Sequence, residues 1–221
     1  GEGIVDAFGH VSARHDKRPD RFLLARNMAP ATVEAEDILE FDLDGAPVDA
    51  QGRSVYLERF IHAEIYRARP DVMGIVHSHS MSVVPFSLVP SFPFRAVTHM
   101  GSFIGTCAPI FDLRDVVGDD NDLLITNGMQ GQALAKVLGD LNVVLMRGHG
   151  STAVGSSLRE AVFRAVYTEQ NARVLSDAAR LGGPITSLSE AETRTATRVI
   201  GGTASRAWNL WALQAQGDME G

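Results

Sequence analysis

The stretch Gly74-Ile-Val-His77-Ser-His79-Ser sets two imidazoles two residues apart, directly after a short β-branched run. A strand alternates its faces with period two, so His77 and His79 are expected on one side of a rigid strand end. Two neutral imidazoles so placed are a ready pair of metal ligands. The alternative is one packed, hydrogen-bonded His beside one exposed His. A second segment favours the metal: Val143-Val-Leu-Met-Arg-Gly-His149-Gly is another buried-type strand, ending in a His between two glycines. Three histidines at strand ends fit a site with a coordination position left open for substrate. A chain that brings these ends together needs a central sheet.

The rest of the sequence supplies one. Ile4 to Ala13 reads as a turn and short strand, and Phe22–Ala25 as a second strand. Asp37 to Gly45 alternates apolar Leu39, Phe41 and Leu43 with acidic residues and ends in Asp-Gly, a hairpin signal. From Leu57 to Ala68 the period changes: Leu57, Phe60, Ile61, Ile65 and Ala68 define one helical face, stopped by Arg69-Pro70. Ser82 to Pro90 is helical or irregular, and Pro85, Pro90 and Pro93 break it into a loop. Strands are expected at Phe94–His99 and Pro109–Asp112, with the Gly-rich Gly101–Gly105 between them. Helices are expected over Gly128–Leu138, from the Ser157/Glu160 capping pair to Arg180, and over Ser187–Ile200. Arg206 to Trp211 reads as an aromatic-bearing last turn, with Trp208 and Trp211 packing on their own chain or covering a neighbour's cleft. The fold class is mixed α/β: a central, mostly antiparallel sheet with helices on both faces, in one domain over residues 1–221. The opening Gly-Glu-Gly, without Met, leads us to expect residues ahead of it.

Composition narrows the function. The 221 residues are 45% hydrophobic and 21% charged, with net charge −7 and a pI near 5.5. No basic stripe exists, so nucleic acid is not an expected partner. No apolar run approaches a membrane span and no signal peptide is read, which makes the cytoplasm the expected compartment. The single Cys107 excludes an intrachain disulfide and leaves a metal to His and carboxylate ligands.

Candidate chemistry gathers around the histidines. Glu58 is expected in the first helical turn, facing the cleft as metal ligand or general acid/base; the alternative is an exposed Glu. His62, at i+4 from it, reads as a packed His behind the site. His99 in the Pro/Gly-broken segment is a further candidate for the chemistry; the alternative is a merely exposed His. Arg26, Asn27, His10 and Arg147 are candidates for substrate binding, because Arg matches a planar carboxylate bidentately. For Arg147 a structural salt bridge is the alternative.

The ordered set of Gly9-His10-Val-Ser12, Glu58, Tyr66-x-x-Arg69-Pro70-Asp71, Val76-His77-Ser-His79 and Arg147-Gly-His149-Gly150 resembles the class II aldolase/adducin family over nearly the whole chain. The resemblance implies an α/β/α fold, a tetramer, a divalent metal (Zn, Mn, Fe or Co) on His77, His79 and His149, and Glu58 as the metal-proximal acid/base. Sugar-phosphate aldolases of that family cradle phosphate with small hydroxyl and glycine turns. The matching stretches here carry His10, Arg26 and apolar Phe8, Met28 and Leu57 instead. Such walls suit a planar carboxylate better than a phosphate. The segments Asp6-Ala-Phe-Gly-His-Val-Ser12 and His99-Met-Gly-x-Phe-Ile-Gly105 are similar to the family's decarboxylase branch, which includes hydroxymethylpyridine-dicarboxylate and dihydroxyphthalate decarboxylases. The expectation is a metal-dependent carbon–carbon lyase, decarboxylating a hydroxy-aryl or heteroaryl carboxylate. The alternatives are an aldolase on a hydroxy-oxo acid or sugar phosphate, a mononuclear iron oxygenase, and a non-catalytic module as in adducin.

Overall fold

The computed structural model describes residues 3–5 and 7–219. Asp6 of the expected opening turn, and the first two residues, lie outside the described ones. The first half of the chain gives β1 (His10–Arg14), β2 (Arg21–Ala25), β3 (Ile38–Asp42), α1 (Arg59–Ala68), β4 (Gly74–Ser78) and α2 (Val84–Leu88). The second half gives β5 (Ile110–Phe111), α3 (Arg114–Val117), α4 (Gly128–Leu138), β6 (Val143–Met146), β7 (Gly150–Gly155), α5 (Leu158–Leu181), α6 (Glu190–Gly201) and α7 (Ala204–Met219). The strands form one seven-stranded sheet in the order β3-β2-β1-β4-β7-β6-β5. Every pairing is antiparallel except β5 with β6.

Two cores flank this sheet. On one face Phe22, Leu24, Leu39, Phe41, Ile75 and Val154 pack against Ile61, Ile65 and Tyr66 of α1 and Leu134 and Leu138 of α4. On the other, Val76, Leu145 and Ala153 pack against Ala161, Phe163 and Leu175 of α5, with Ile200 of α6. Strand alternation divides these residues: Ile75 faces α1 and its neighbour Val76 faces α5. The expected α/β/α layering and mostly antiparallel sheet are therefore present.

Where the structure departs from the pattern reading, a local reason is visible. Phe94–His99 forms no strand. The Asn171 Oδ1 atom accepts from the Val97 and Thr98 N–H groups, and its Nδ2 donates to the Arg95 carbonyl, so one side chain takes the place of a ladder partner. The limb returning after Asp44-Gly45 makes a single bridge, Phe41 to Pro47, since Pro has no N–H to extend it. The strand β7 was not foreseen. Its ends are Gly150 and Gly155, where a Cβ would sit 2.1 Å from the Ser78 carbonyl oxygen and 2.5 Å from the Ala161 nitrogen. These glycines permit close approach in the middle of the sheet, although a Gly/Ser/Thr-rich sequence reads as a loop. Arg206–Trp211 is part of the sixteen-residue α7, not a last turn. Trp211 lies 6.3 Å from the Tyr167 ring and Trp208 lies under the Arg159 guanidinium, so both pack on their own chain.

Candidate metal centre

Adjacent strands bring the histidines together. His77 is in β4, and its Cα pairs with Thr152 of β7 and with His10 of β1. His79 follows just after the strand. His149 sits in the tight turn from β6 to β7, where Gly148 has a φ of +66°. Glu58 immediately precedes α1 rather than lying in its first turn, and its side chain does not cap the helix. Its Oε1 accepts from the Ile125 N–H at 3.1 Å, which aims Oε2 at the histidines.

Four ligand atoms converge, one each from Glu58, His77, His79 and His149, all within 4.8 Å of one another. The Nε2 of His79 stands 3.2 Å from that of His77 and 3.0 Å from that of His149. Glu58 Oε2 is 3.6 Å from His77 Nε2 and 3.4 Å from His149 Nε2. The opposite nitrogens are occupied: His149 Nδ1 donates to the Leu123 carbonyl at 2.9 Å, and His77 Nδ1 lies 3.3 Å from Thr152 Oγ1. With Nδ1 protonated, the inward Nε2 atoms of His77 and His149 are left with lone pairs. Lone pairs facing one another at this distance repel unless a cation lies among them. Nitrogens at about 2.0–2.1 Å from a common ion stand roughly 2.8–3.4 Å apart for octahedral to tetrahedral angles, so the donor set fits one divalent ion.

Without an ion, the electrostatics favour a proton on His149 Nε2 facing Glu58, the place a cation would take. Burial pushes the Glu58 carboxyl up, but the His149 hydrogen bond, the two imidazoles and the Ile125 N–H outweigh it and hold it at about 2. It is a carboxylate at neutral pH. His77 is held well below its usual value by burial. For His149 burial acts downward, and the Glu58 hydrogen bond and charge reverse it to a net rise.

The remaining candidates separate. His10 is buried beside the cluster, its ring 4.9 Å from His77 and 4.7 Å from Tyr56. Burial holds it well below its usual value, so it is neutral and can offer a hydrogen bond but no charge. His62 is buried behind it, as expected for a packed His, and burial pushes it down to about 3. Arg26 donates from Nε to Asp37 at 2.7 Å, so its charge is partly matched. Asn27 is exposed and its N–H donates to Ser54. Arg147 forms an ion pair with Asp112 at 2.8 Å, off the line of a hydrogen bond, and Asp112 also receives Arg114. That is the structural alternative raised for Arg147, and it counts against a role as carboxylate clamp. His99 is exposed and lines a cleft with Leu188, Glu192 and Val199 of the α6 region, making no described contact with the four converging groups. The geometry within one chain does not support it as the acid/base. Tyr56, which packs at a tilt against His10 and donates to the Met28 carbonyl, was not singled out from sequence. Phe8 is 65% exposed with its ring 6.3 Å from His79, an apolar edge on the site.

A convergent His₃/Glu cluster at the strand ends of an α/β/α sheet defines a class, and the sequence comparisons agree. The model of the class II aldolase and adducin N-terminal domain matches residues 2–176, and the chain belongs to this family. It is 37% identical over 235 residues to the decarboxylase tropJ of Talaromyces stipitatus, covering 96% of this chain and 88% of that protein. It is 32% identical over 190 residues to a 3,4-dihydroxyphthalate decarboxylase of Terrabacter, covering 82% and 77%. The fold matches an aldolase II superfamily protein from Pseudomonas syringae with a TM-score of 0.76 and 20% identity, over 97% of this chain and 86% of that one. The chain is an enzyme of this superfamily. No helix among the described residues is long and apolar enough to cross a membrane.

Proposed function

We propose that the chain is a divalent-metal-dependent decarboxylase of a hydroxy-substituted aromatic or heteroaromatic carboxylate. The observation that carries the lyase reading is the convergence of His77, His79, His149 and Glu58. Decarboxylation is favoured over aldol cleavage by two relatives named decarboxylases and by His10 and Arg26 where phosphate-binding aldolases place small hydroxyl donors. His77, His79 and His149 would hold Zn²⁺, Mn²⁺, Fe²⁺ or Co²⁺; when bound, such an ion supplies a Lewis acid for an oxygen next to the developing charge.

The chain's own groups do the rest. Arg26, aided by Asn27, binds a substrate carboxylate through its Nη groups, since Asp37 occupies only Nε among the described residues. His10 adds a neutral hydrogen bond and Phe8 an apolar wall. Glu58, ionised at neutral pH, takes the proton of the substrate hydroxyl at Oε2 and returns it to the ring carbon that bears the departing carboxylate. The C–C bond breaks, its electron pair stays on the ring, and CO₂ leaves. One solvent proton completes the balance. The same reading carries a single domain, a homo-oligomer (a tetramer by family resemblance) and a cytoplasmic location.

The test is elemental analysis of the purified protein, followed by a CO₂-release assay on hydroxy-aryl and hydroxypyridine dicarboxylates. About one divalent ion per chain and CO₂ from one compound support the reading. An ion without CO₂ moves the assignment to aldol cleavage of hydroxy-oxo acids. No ion after incubation with Mn²⁺ or Zn²⁺ overturns it.

A further inference from the structure

Behind His10 runs a line of buried polar side chains, His62, Ser12 and Tyr66, that the scheme above leaves unused. His10 Nδ1 is 2.6 Å from His62 Nε2, His62 Nδ1 is 2.6 Å from Ser12 Oγ, and Ser12 Oγ is 2.9 Å from the Tyr66 hydroxyl. All four residues are buried, His62 and Tyr66 almost completely. Each link between neutral groups holds one hydrogen; Ser12 Oγ could accept from both sides, but its own hydrogen would then have no acceptor among the described residues, which leaves two continuous directions. In the first, Tyr66 donates to Ser12, Ser12 donates to Nδ1 of His62, and Nε2–H of His62 donates to Nδ1 of His10. His10 then carries its own proton on Nε2. In the second every bond reverses, and the Tyr66 hydroxyl must find a different acceptor.

Among the described residues it has none. Its hydrogen-bond partner is Ser12, and the group over its ring is the Arg14 guanidinium, 4.7 Å from the centroid, which has only donors. A buried hydroxyl without an acceptor is penalised, enough to favour the first direction by roughly tenfold or more.

We infer that Ser12 and His62 are positioning residues that hold His10 in its Nε2–H tautomer, so that His10 meets the substrate as a hydrogen-bond donor. No group among the described residues bonds Nε2 of His10, which leaves it for a ligand oxygen. A donor there accepts a carboxylate or phenolate oxygen and rejects an amide or amino hydrogen. The ligand class rests on the decarboxylase reading; the tautomer does not.

The experiment is two-bond nitrogen–proton correlation NMR of the full chain, labelled with ¹⁵N-histidine and kept with Zn²⁺. The expected result is a His10 whose Nε2 is protonated and Nδ1 is not, by about tenfold or more. A protonated Nδ1, or an even mixture, overturns the inference. Ser12→Ala removes the donor to His62, and the ratio is expected to fall to within about threefold of unity while KM for the carboxylate rises more than kcat falls. Tyr66→Phe is expected to keep the ratio, because His62 remains the acceptor for Ser12. A purely structural line would destabilise both variants and leave the ratio alone, against the inference. If Ser12→Ala does not fold, the wild-type spectrum still decides. The predicted tautomer in a protein that releases no CO₂ would keep this inference and sink the decarboxylase reading.

Discussion

The histidines at the strand ends and the arginines around them differ in what satisfies them. His77, His79 and His149 turn Nε2 atoms toward one another at 3.0–3.2 Å, and the outer nitrogens of His77 and His149 are held by Thr152 and Leu123. Arg26 and Arg147 already have their counter-ions, Asp37 at 2.7 Å and Asp112 at 2.8 Å. The first arrangement is incomplete without a cation. The second is matched in charge without a ligand, although Asp37 takes only the Nε of Arg26 and leaves its Nη groups open. Identical reasoning from residue type, Arg for carboxylate and His for metal, therefore carries different weight, because a partner already in place removes the need for another.

That contrast can be broken most severely at the cluster. His77→Ala should lower the metal content from about one ion per chain to near zero and activity by about 10³-fold or more. Elemental analysis beside the CO₂ assay checks it, and a variant that keeps its ion contradicts the ligand assignment. Glu58→Gln keeps an acceptor for the Ile125 N–H but loses the base. It should retain the ion and drop kcat by about 10²–10⁴-fold; unchanged kcat would remove Glu58 from the chemistry. The arginines should diverge. Arg26→Met is expected to raise KM about tenfold, whereas Arg147→Met should leave KM within about twofold and cost about 1 kcal/mol of stability. Steady-state kinetics and urea unfolding on both would show whether the two ion pairs are as unlike as proposed.

A further effect is in pH-dependent stability. His62 is ordinarily protonated near 6.5, and burial pushes it down to about 3 in the fold. The unfolded chain binds a proton below 6.5 that the folded one refuses, so stability is full above 6.5 and is lost as the pH falls toward 3. The slope is about 1.4 kcal/mol per pH unit from this one group. His62→Gln should flatten it in urea titrations between these values; an unchanged slope would mean that His62 does not titrate on unfolding.

Much of the fold and the converging His/Glu cluster were legible because they rest on short-range pattern. The period of two around His77, the helical face of Ile61 and Ile65, and the Ser157/Glu160 cap each need only near neighbours in sequence. What was not legible depends on contacts distant in the chain. The strand β7 hides behind glycines whose purpose is the approach of Ser78 and Ala161. Asn171, more than 70 residues away, replaces a strand partner for Val97 and Thr98. Asp112 takes Arg147. His99 looked close to the chemistry because of its Gly-rich surroundings, yet it lines the cleft against α6. Tyr56 could have been found only by asking what covers His10.

The most direct measurement is anomalous diffraction from crystals of the protein soaked in Mn²⁺ or Zn²⁺. The account predicts one strong peak per chain, about 2.0–2.3 Å from the Nε2 atoms of His77, His79 and His149 and beside Glu58. A peak elsewhere, or three ordered imidazoles with no peak among them, would contradict it.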